Sequence, residues 1–144
     1  MDSERLSSQC IFCQIIAKKS PAYIVYEDNE IIAFLDKYPI SEGHTLVLPK
    51  KHYARFDEIP EELLSKLFLK TQLLNSEIKA KLQATGSHVT VNDGKAANQL
   101  VPHVHVHLIP RNEDDNVSFV NRKKLTPELM ESIRQKISLL RKID

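Results

Sequence analysis

Only two cysteines, Cys10 and Cys13, stand in a chain of 144 residues. So close a pair excludes a disulfide-built scaffold, because the loop it could close is too short to constrain the unfolded chain much. Long apolar runs are lacking as well. None approaches the roughly 20 residues of a membrane-spanning helix, so no membrane partner is expected. An excess of either charge is also missing: the formal net charge is +1. That gives no general electrostatic reason to bind a nucleic-acid polymer, and Lys50-Lys51 and Arg122-Lys123-Lys124 read as short clusters on solvated faces. Internal repeats and low-complexity segments are absent.

What is present fits one compact domain. A chain of this length can bury about two-thirds of its unfolded surface, and 42% hydrophobic residues are enough to do so. Residues 1–9 are polar and are expected to form a flexible N-terminal segment. Asp2, Glu4 and Arg5 break any apolar run there, so no signal peptide is read. Periodicity gives a short helix over Cys13 to Lys18 and a hairpin of Ala22 to Glu27 with Ile31 to Leu35 around Asp28-Asn29. Further strands fall at Thr45 to Pro49 and His88 to Asn92. A long amphipathic helix over Pro60 to Leu82 carries Leu63, Leu64, Leu67, Phe68, Leu74, Ile78 and Leu82 at helical spacing, with Gly86 after its end. Asn112 to Asn116 reads as a loop. Thr126-Pro127 then caps and opens a helix to about Lys142, with Leu129, Ile133, Ile137 and Leu140 on its inner side.

The chemistry concentrates in Pro102-His103-Val104-His105-Val106-His107-Leu108-Ile109-Pro110. In a strand, alternate residues share a face, so His103, His105 and His107 are expected in a row while Val104, Val106 and Leu108 enter the core. Imidazole titrates near neutrality, so such a row offers nucleophiles, acids and metal ligands at once. A chance cluster on a solvated strand and a purely metal-binding site remain the plain alternatives.

The segment Cys10-Ile11-Phe12-Cys13 adds a second element. A redox pair normally sits where a strand opens into a helix of a thioredoxin-like unit, and no parallel βαβ pattern follows here. A metal knuckle is the preferred reading, and with it a reducing, cytoplasmic compartment. Structural zinc takes four tetrahedral ligands, so two must come from elsewhere. His52 and His103 are candidates that spacing alone does not fix.

Three motifs in order, Cys10 to Ile16, Ala33 to Asp36 leading to Gly43 to Lys50, and His103 to Arg111, resemble the histidine triad (HIT) superfamily. The likeness lies nearest its Hint-like and Fhit-like nucleotide hydrolases. It implies an α+β fold with about five antiparallel strands and a HIT domain over 10–111; the C-terminal loop and helix over 112–144 lie outside the resemblance and are expected to pack on the domain, on a partner copy or over the nucleotide mouth. It implies a homodimer whose sheets join across the interface.

The same resemblance assigns roles. His105 matches the nucleophile that forms a nucleotidyl-histidine intermediate at the α-phosphorus; His107 lies on the phosphate and leaving-group side. His103 and Gln99 complete the implied catalytic group, Gln99 touching the bridging or leaving-group oxygen. Asp36 matches the carboxylate that receives the ribose hydroxyls, Asn92 and His44 the phosphate neighbours, and Ile11, Phe12, Ile15 and Phe34 the surroundings of the base. Without the resemblance those apolar residues read as ordinary core. Cys10, Cys13, His52 and His103 match a structural zinc set, with no catalytic metal required. Departures fall at Ala97-Asn98 and Leu100, where relatives often carry a glycine pair and a hydroxyl, and at Lys37 after Asp36.

The implied activity is hydrolysis of an adenosine phosphoramidate or dinucleoside polyphosphate, with an AMP moiety bound as a small-molecule purine nucleotide. A nucleotide-binding adaptor with vestigial hydrolysis shares the fold. A third class, an enzyme with all three histidines on one catalytic ion, predicts inactivation by chelators without unfolding.

Overall fold

The computed structural model describes residues 9–140. The expected flexible segment 1–9 therefore lies, except for Gln9, outside the described residues. A short helix α1 (Ile11–Ile16) is followed by β1 (Ile24–Glu27), β2 (Ile31–Leu35) and β3 (Thr45–Pro49). The long helix α2 (Glu61–Leu82), β4 (Gly86–Val91), β5 (Val106–Arg111) and a final helix α3 (Pro127–Ile137) complete the order. The five strands form one sheet in the order β1-β2-β3-β5-β4. Every neighbouring pair is antiparallel, so the architecture is the expected α+β one.

The hairpin turn is built by Asp28, whose Oδ1 accepts the N–H groups of Glu30 and Ile31 at 2.8 Å each. An aspartate carboxylate offers those donors the acceptor a tight turn otherwise lacks. β2 and β3 are buried along their whole length, because both faces of the sheet are covered. On one face Ile31, Ala33, Val47, Val106 and Leu108 meet Leu67, Leu74 and Ile78 of α2 and Met130, Ile133 and Ile137 of α3. On the other, Ile32, Phe34, Leu46 and Leu48 meet Cys10, Phe12, Cys13 and Ile15 of the α1 region. The period-2 alternation of the strands sorts their side chains between these two cores.

Several boundaries depart from the sequence reading. α2 leaves its helical path at Gln83, which takes the left-handed conformation (φ 56°) expected of a helix end. Gly86 instead opens β4. α3 stops at Ile137, not near Lys142, and Leu139 N–H then bonds the Val25 carbonyl at 2.7 Å. Pairing with the backbone of β1 competes with another helical turn. The inner face of α3 is consequently Met130, Ile133 and Ile137, with Leu129 and Leu140 exposed.

The largest correction concerns the triad. Only His107 lies within β5; His103 sits in a bend and His105 just ahead of the strand. Both ladders of β5 begin at Val106, opposite Val47 and Val91. Upstream of it, Val104 N–H turns to the Tyr53 carbonyl at 2.8 Å. The three imidazoles thus do not make an even row, although Val104, Val106 and Leu108 do enter the core. Among the described residues no helix is long and apolar enough to cross a membrane.

Candidate functional site

Five of the six histidines divide into two groups on the α1 side of the sheet, His88 lying apart against Arg111 and Phe119. His103 turns toward the cysteines, its Nδ1 standing 3.5 Å from the Sγ atoms of both Cys10 and Cys13. His52 Nδ1 lies 3.3 Å from Cys13 Sγ. His105 and His107 instead face Asp36 and His44, with the edge of Phe12 against the His105 ring at 5.1 Å between centroids.

Backbone groups set the tautomers of His103, His105 and His44, and His44 in turn sets that of His107. The Pro49 carbonyl accepts from His103 Nε2 at 2.8 Å, which leaves the Nδ1 lone pair pointing at sulfur. The His103 carbonyl accepts from His105 Nδ1 at 2.7 Å; its Nε2 is therefore a free lone pair. Ile40 N–H donates to His44 Nδ1 at 3.0 Å, so the His44 proton is on Nε2. That proton is donated to His107 Nδ1 at 2.9 Å, and His107 must carry its own proton on Nε2. One nucleophilic nitrogen and one donor nitrogen result, on rings whose centroids are 4.9 Å apart.

Burial keeps these rings neutral at pH 7. It pushes His44 far below its ordinary value, assisted by the charges of His107 and Arg122. It lowers His107 to about 4, with His105 and Arg122 adding to the effect. His105 is lowered too, by burial against the opposing influence of the His103 carbonyl and Asp36. A neutral imidazole is the form that can attack.

Gly43 makes the position of His44 possible. Its φ of 88° favours glycine, and a Cβ there would run into Leu82 of α2. Asp36, on the turn leading to it, has Oδ2 3.6 Å from His44 Nε2. The remaining expected site residues are distributed less simply. Gln99 is held by its own loop, with Oε1 accepting from Gly94 N–H at 2.7 Å and Nε2 donating to the carbonyls of Ala54 and Val101. Asn92 directly follows β4. Phe12, Ile15 and Phe34 are buried, whereas Ile11 is 45% exposed on the rim.

Sequence reasoning missed Arg122, read as part of a solvated cluster. Its Nη2 donates to Asp36 Oδ2 at 2.6 Å across 86 positions of sequence, a separation that no local spacing reports. It also missed the three backbone partners that fix the rings of His103, His105 and His44.

Among the described residues, two sets of donors could hold a metal. Cys10, Cys13, His52 and His103 bring their ligand atoms within 4.8 Å of one another, all but His52 buried. Sulfur-to-nitrogen separations of 3.3 to 3.5 Å match the edge of about 3.5 Å that zinc's usual bond lengths give a tetrahedron. The Pro49 carbonyl on His103 supplies the outer-sphere acceptor that ligating imidazoles ordinarily have. The residues fit zinc. Asp36, His44 and His107 form the second set, but there the His44 Nε2 that would ligate already carries the proton it gives to His107. A cation would have to displace it against the Ile40 N–H. His105 belongs to neither set, so the triad does not converge on one ion.

The sequence model of the HIT domain matches residues 17–114. An uncharacterized HIT-like protein of Methanocaldococcus jannaschii is 50% identical over 106 residues, covering 74% of this chain and 81% of that one. Adenylylsulfatase HINT3 of Arabidopsis thaliana is 39% identical over 118 residues, 80% of this chain and 58% of that one. The crystal structure of a zinc-bound histidine triad family protein from Mycobacterium smegmatis superposes with a TM-score of 0.79 at 34% identity, covering 91% of this chain and 94% of that chain. With the five-stranded sheet in agreement with these matches, the chain belongs to the HIT family.

Proposed function

We propose that this protein hydrolyses nucleotide conjugates at the α-phosphorus through a covalent nucleotidyl-histidine intermediate on His105. The observation that carries the reading is the 2.7 Å bond from His105 Nδ1–H to the His103 carbonyl, which leaves Nε2 with a lone pair. In the first step Nε2 forms a bond to phosphorus and the bond from phosphorus to the leaving group breaks. His107 Nε2–H is the donor placed to give that group its proton. The adduct is an imidazolium, whose charge the His103 carbonyl stabilises. Water then forms the new P–O bond, the P–N bond breaks, and His107 recovers its proton.

Asp36 receives the sugar hydroxyls, and Ile11, Phe12, Ile15 and Phe34 flank the base. His44 and Asn92 border the phosphate, and Gln99 shapes the loop on the leaving-group side. A sulfate leaving group is one candidate, from the likeness to an adenylylsulfatase; an amine or a second nucleotide are the others. Zinc on Cys10, Cys13, His52 and His103 ties α1 and the segment after β3 to the triad in a reducing, cytoplasmic setting, and it is structural. A second copy covers edge strand β4 and the neighbouring face of α2. There Val89, Leu69 and Leu73 are 45%, 67% and 46% exposed, and among the described residues β4 has a strand on one side only.

AMP release from adenosine phosphoramidate, adenylylsulfate and diadenosine polyphosphate, with His105→Ala beside the parent, tests the reaction. Turnover by the parent alone supports it. No turnover of any conjugate by the parent, with AMP still bound, favours the adaptor.

A further inference from the structure

Arg122 lies beyond the residues 17–114 that match the family domain, yet its side chain ends inside the site. The guanidinium donates from Nη2 to Asp36 Oδ2 at 2.6 Å and from Nε to the Tyr38 carbonyl at 2.8 Å. Tyr38 N–H in turn donates to Asp36 Oδ1 at 2.8 Å. The three residues close a ring in which each Asp36 oxygen has one fixed donor. The pair is only partly shielded, with side-chain exposures of 26% for Arg122 and 14% for Asp36, so an entering ligand can reach it.

A carboxylate oxygen has two acceptor positions, and each oxygen of Asp36 uses one of them in this ring. Two vicinal hydroxyls need both oxygens in a fixed plane, and freezing that plane beforehand lowers the entropy lost on binding. The guanidinium also neutralises a carboxylate that would otherwise repel the phosphate of the same ligand. We propose that Arg122 is a positioning residue of the nucleotide site that presets the Asp36 carboxylate for the sugar hydroxyls. The inference rests on the assignment of Asp36 to the ribose but not on hydrolysis.

Calorimetric titration of the full-length protein with AMP and with 2′,3′-dideoxy-AMP tests it, after thermal melts confirm that each variant is folded. The parent is expected to prefer AMP by about tenfold, the usual scale of hydrogen bonds to a charged acceptor. Arg122→Gln should bring the ratio close to one. Arg122→Lys, which keeps the charge but not the fork, should retain attraction for both nucleotides and lose part of the ratio. If Arg122→Gln does not fold, the ratio measured with Arg122→Lys decides. A merely structural role would weaken both ligands equally, and an unchanged ratio in a folded variant overturns the proposal. Equal affinity of the parent for the two nucleotides, or no binding of either, also overturns it, by removing Asp36 from the ribose. AMP release by the parent and its loss in His105→Ala are scored separately, so failure of the hydrolytic reading is seen independently.

Discussion

His103 and His105 are two residues apart and do opposite work through one hydrogen bond. The carbonyl of His103 takes the Nδ1 proton of His105 at 2.7 Å, while the ring of His103 turns its own Nδ1 to the cysteines. The backbone of one residue therefore links the metal-type cluster to the proposed nucleophile.

Replacement of His105 by alanine should lower AMP release by roughly 10⁴ or more, because a covalent path has no substitute once its nucleophile is gone. AMP binding should persist, since Asp36 and the base-flanking Ile11, Ile15 and Phe34 remain, although Phe12 loses its ring contact with His105. Rapid-quench intact-mass measurement should find a nucleotidyl adduct on the parent and none on the variant. An active parent that never shows the adduct would count against covalent catalysis.

Removing the cluster should act on stability. Cys13→Ser should abolish stoichiometric zinc and lower the unfolding free energy by more than about 2 kcal/mol, because metal affinity in such sites is folding free energy. A strong chelator should lower Tm and activity together. Loss of activity at unchanged Tm would instead mean that the ion takes part in the reaction.

The course of the chain around these residues shows what a sequence can reveal. Alternation placed Val104, Val106 and Leu108 in the core because strand geometry has a period of two. It could not show that the β5 ladders begin only at Val106, since that depends on where β3 and β4 supply partners. Cys10 and Cys13 announced themselves by spacing, and the short helix that contains Cys13 follows from Cys10 capping it through Cys13 N–H. The His44 to His107 bond spans 63 residues and the Asp36 to Arg122 pair 86. Such contacts leave no local pattern. Gln99 was assigned by motif alone, and the structure shows how its amide is engaged by the surrounding loop.

Acid should destabilise the fold well before its carboxylates protonate. His107 titrates at about 4 when folded, because burial penalises its charged form, against about 6.5 in the unfolded chain. Between those values the unfolded state binds the extra proton. The stabilisation is thus fully present above pH 6.5 and lost progressively as pH falls toward 4. His44, shifted further in the same direction, extends the loss to lower pH. Tm measured across this window should fall, and less steeply in His107→Asn. A flat Tm from pH 6.5 to 4 would show that these rings are not buried neutral.

Gly43→Ala tests the support of His44. The new methyl meets Leu82 in a backbone conformation with φ of 88°, so a loss of about 2 to 3 kcal/mol is expected from strain and displaced packing together. The shift carries His44 away from the His107 nitrogen it orients, and the catalytic rate should fall even at temperatures where the variant is folded. Urea unfolding and AMP release on one preparation measure both. An unaffected midpoint would show that α2 accommodates the methyl.

The exposed face and edge of β4 give the last test. Val89, Leu69 and Leu73 lie exposed on neighbouring surfaces of β4 and α2, and the outer backbone edge of β4 is available for pairing. A second copy satisfies both features at once, whereas a small ligand would cover the side chains and leave the strand edge open. A charge at the centre of that surface must be desolvated on association, so Leu69→Glu should raise the dimer dissociation constant by a hundredfold or more, roughly 3 kcal/mol. The same substitution on an exposed helical position should cost the folded monomer only about 0.5 kcal/mol. Sedimentation velocity across a concentration series separates the two effects. A parent that sediments as a monomer throughout the series would remove the second copy from this face.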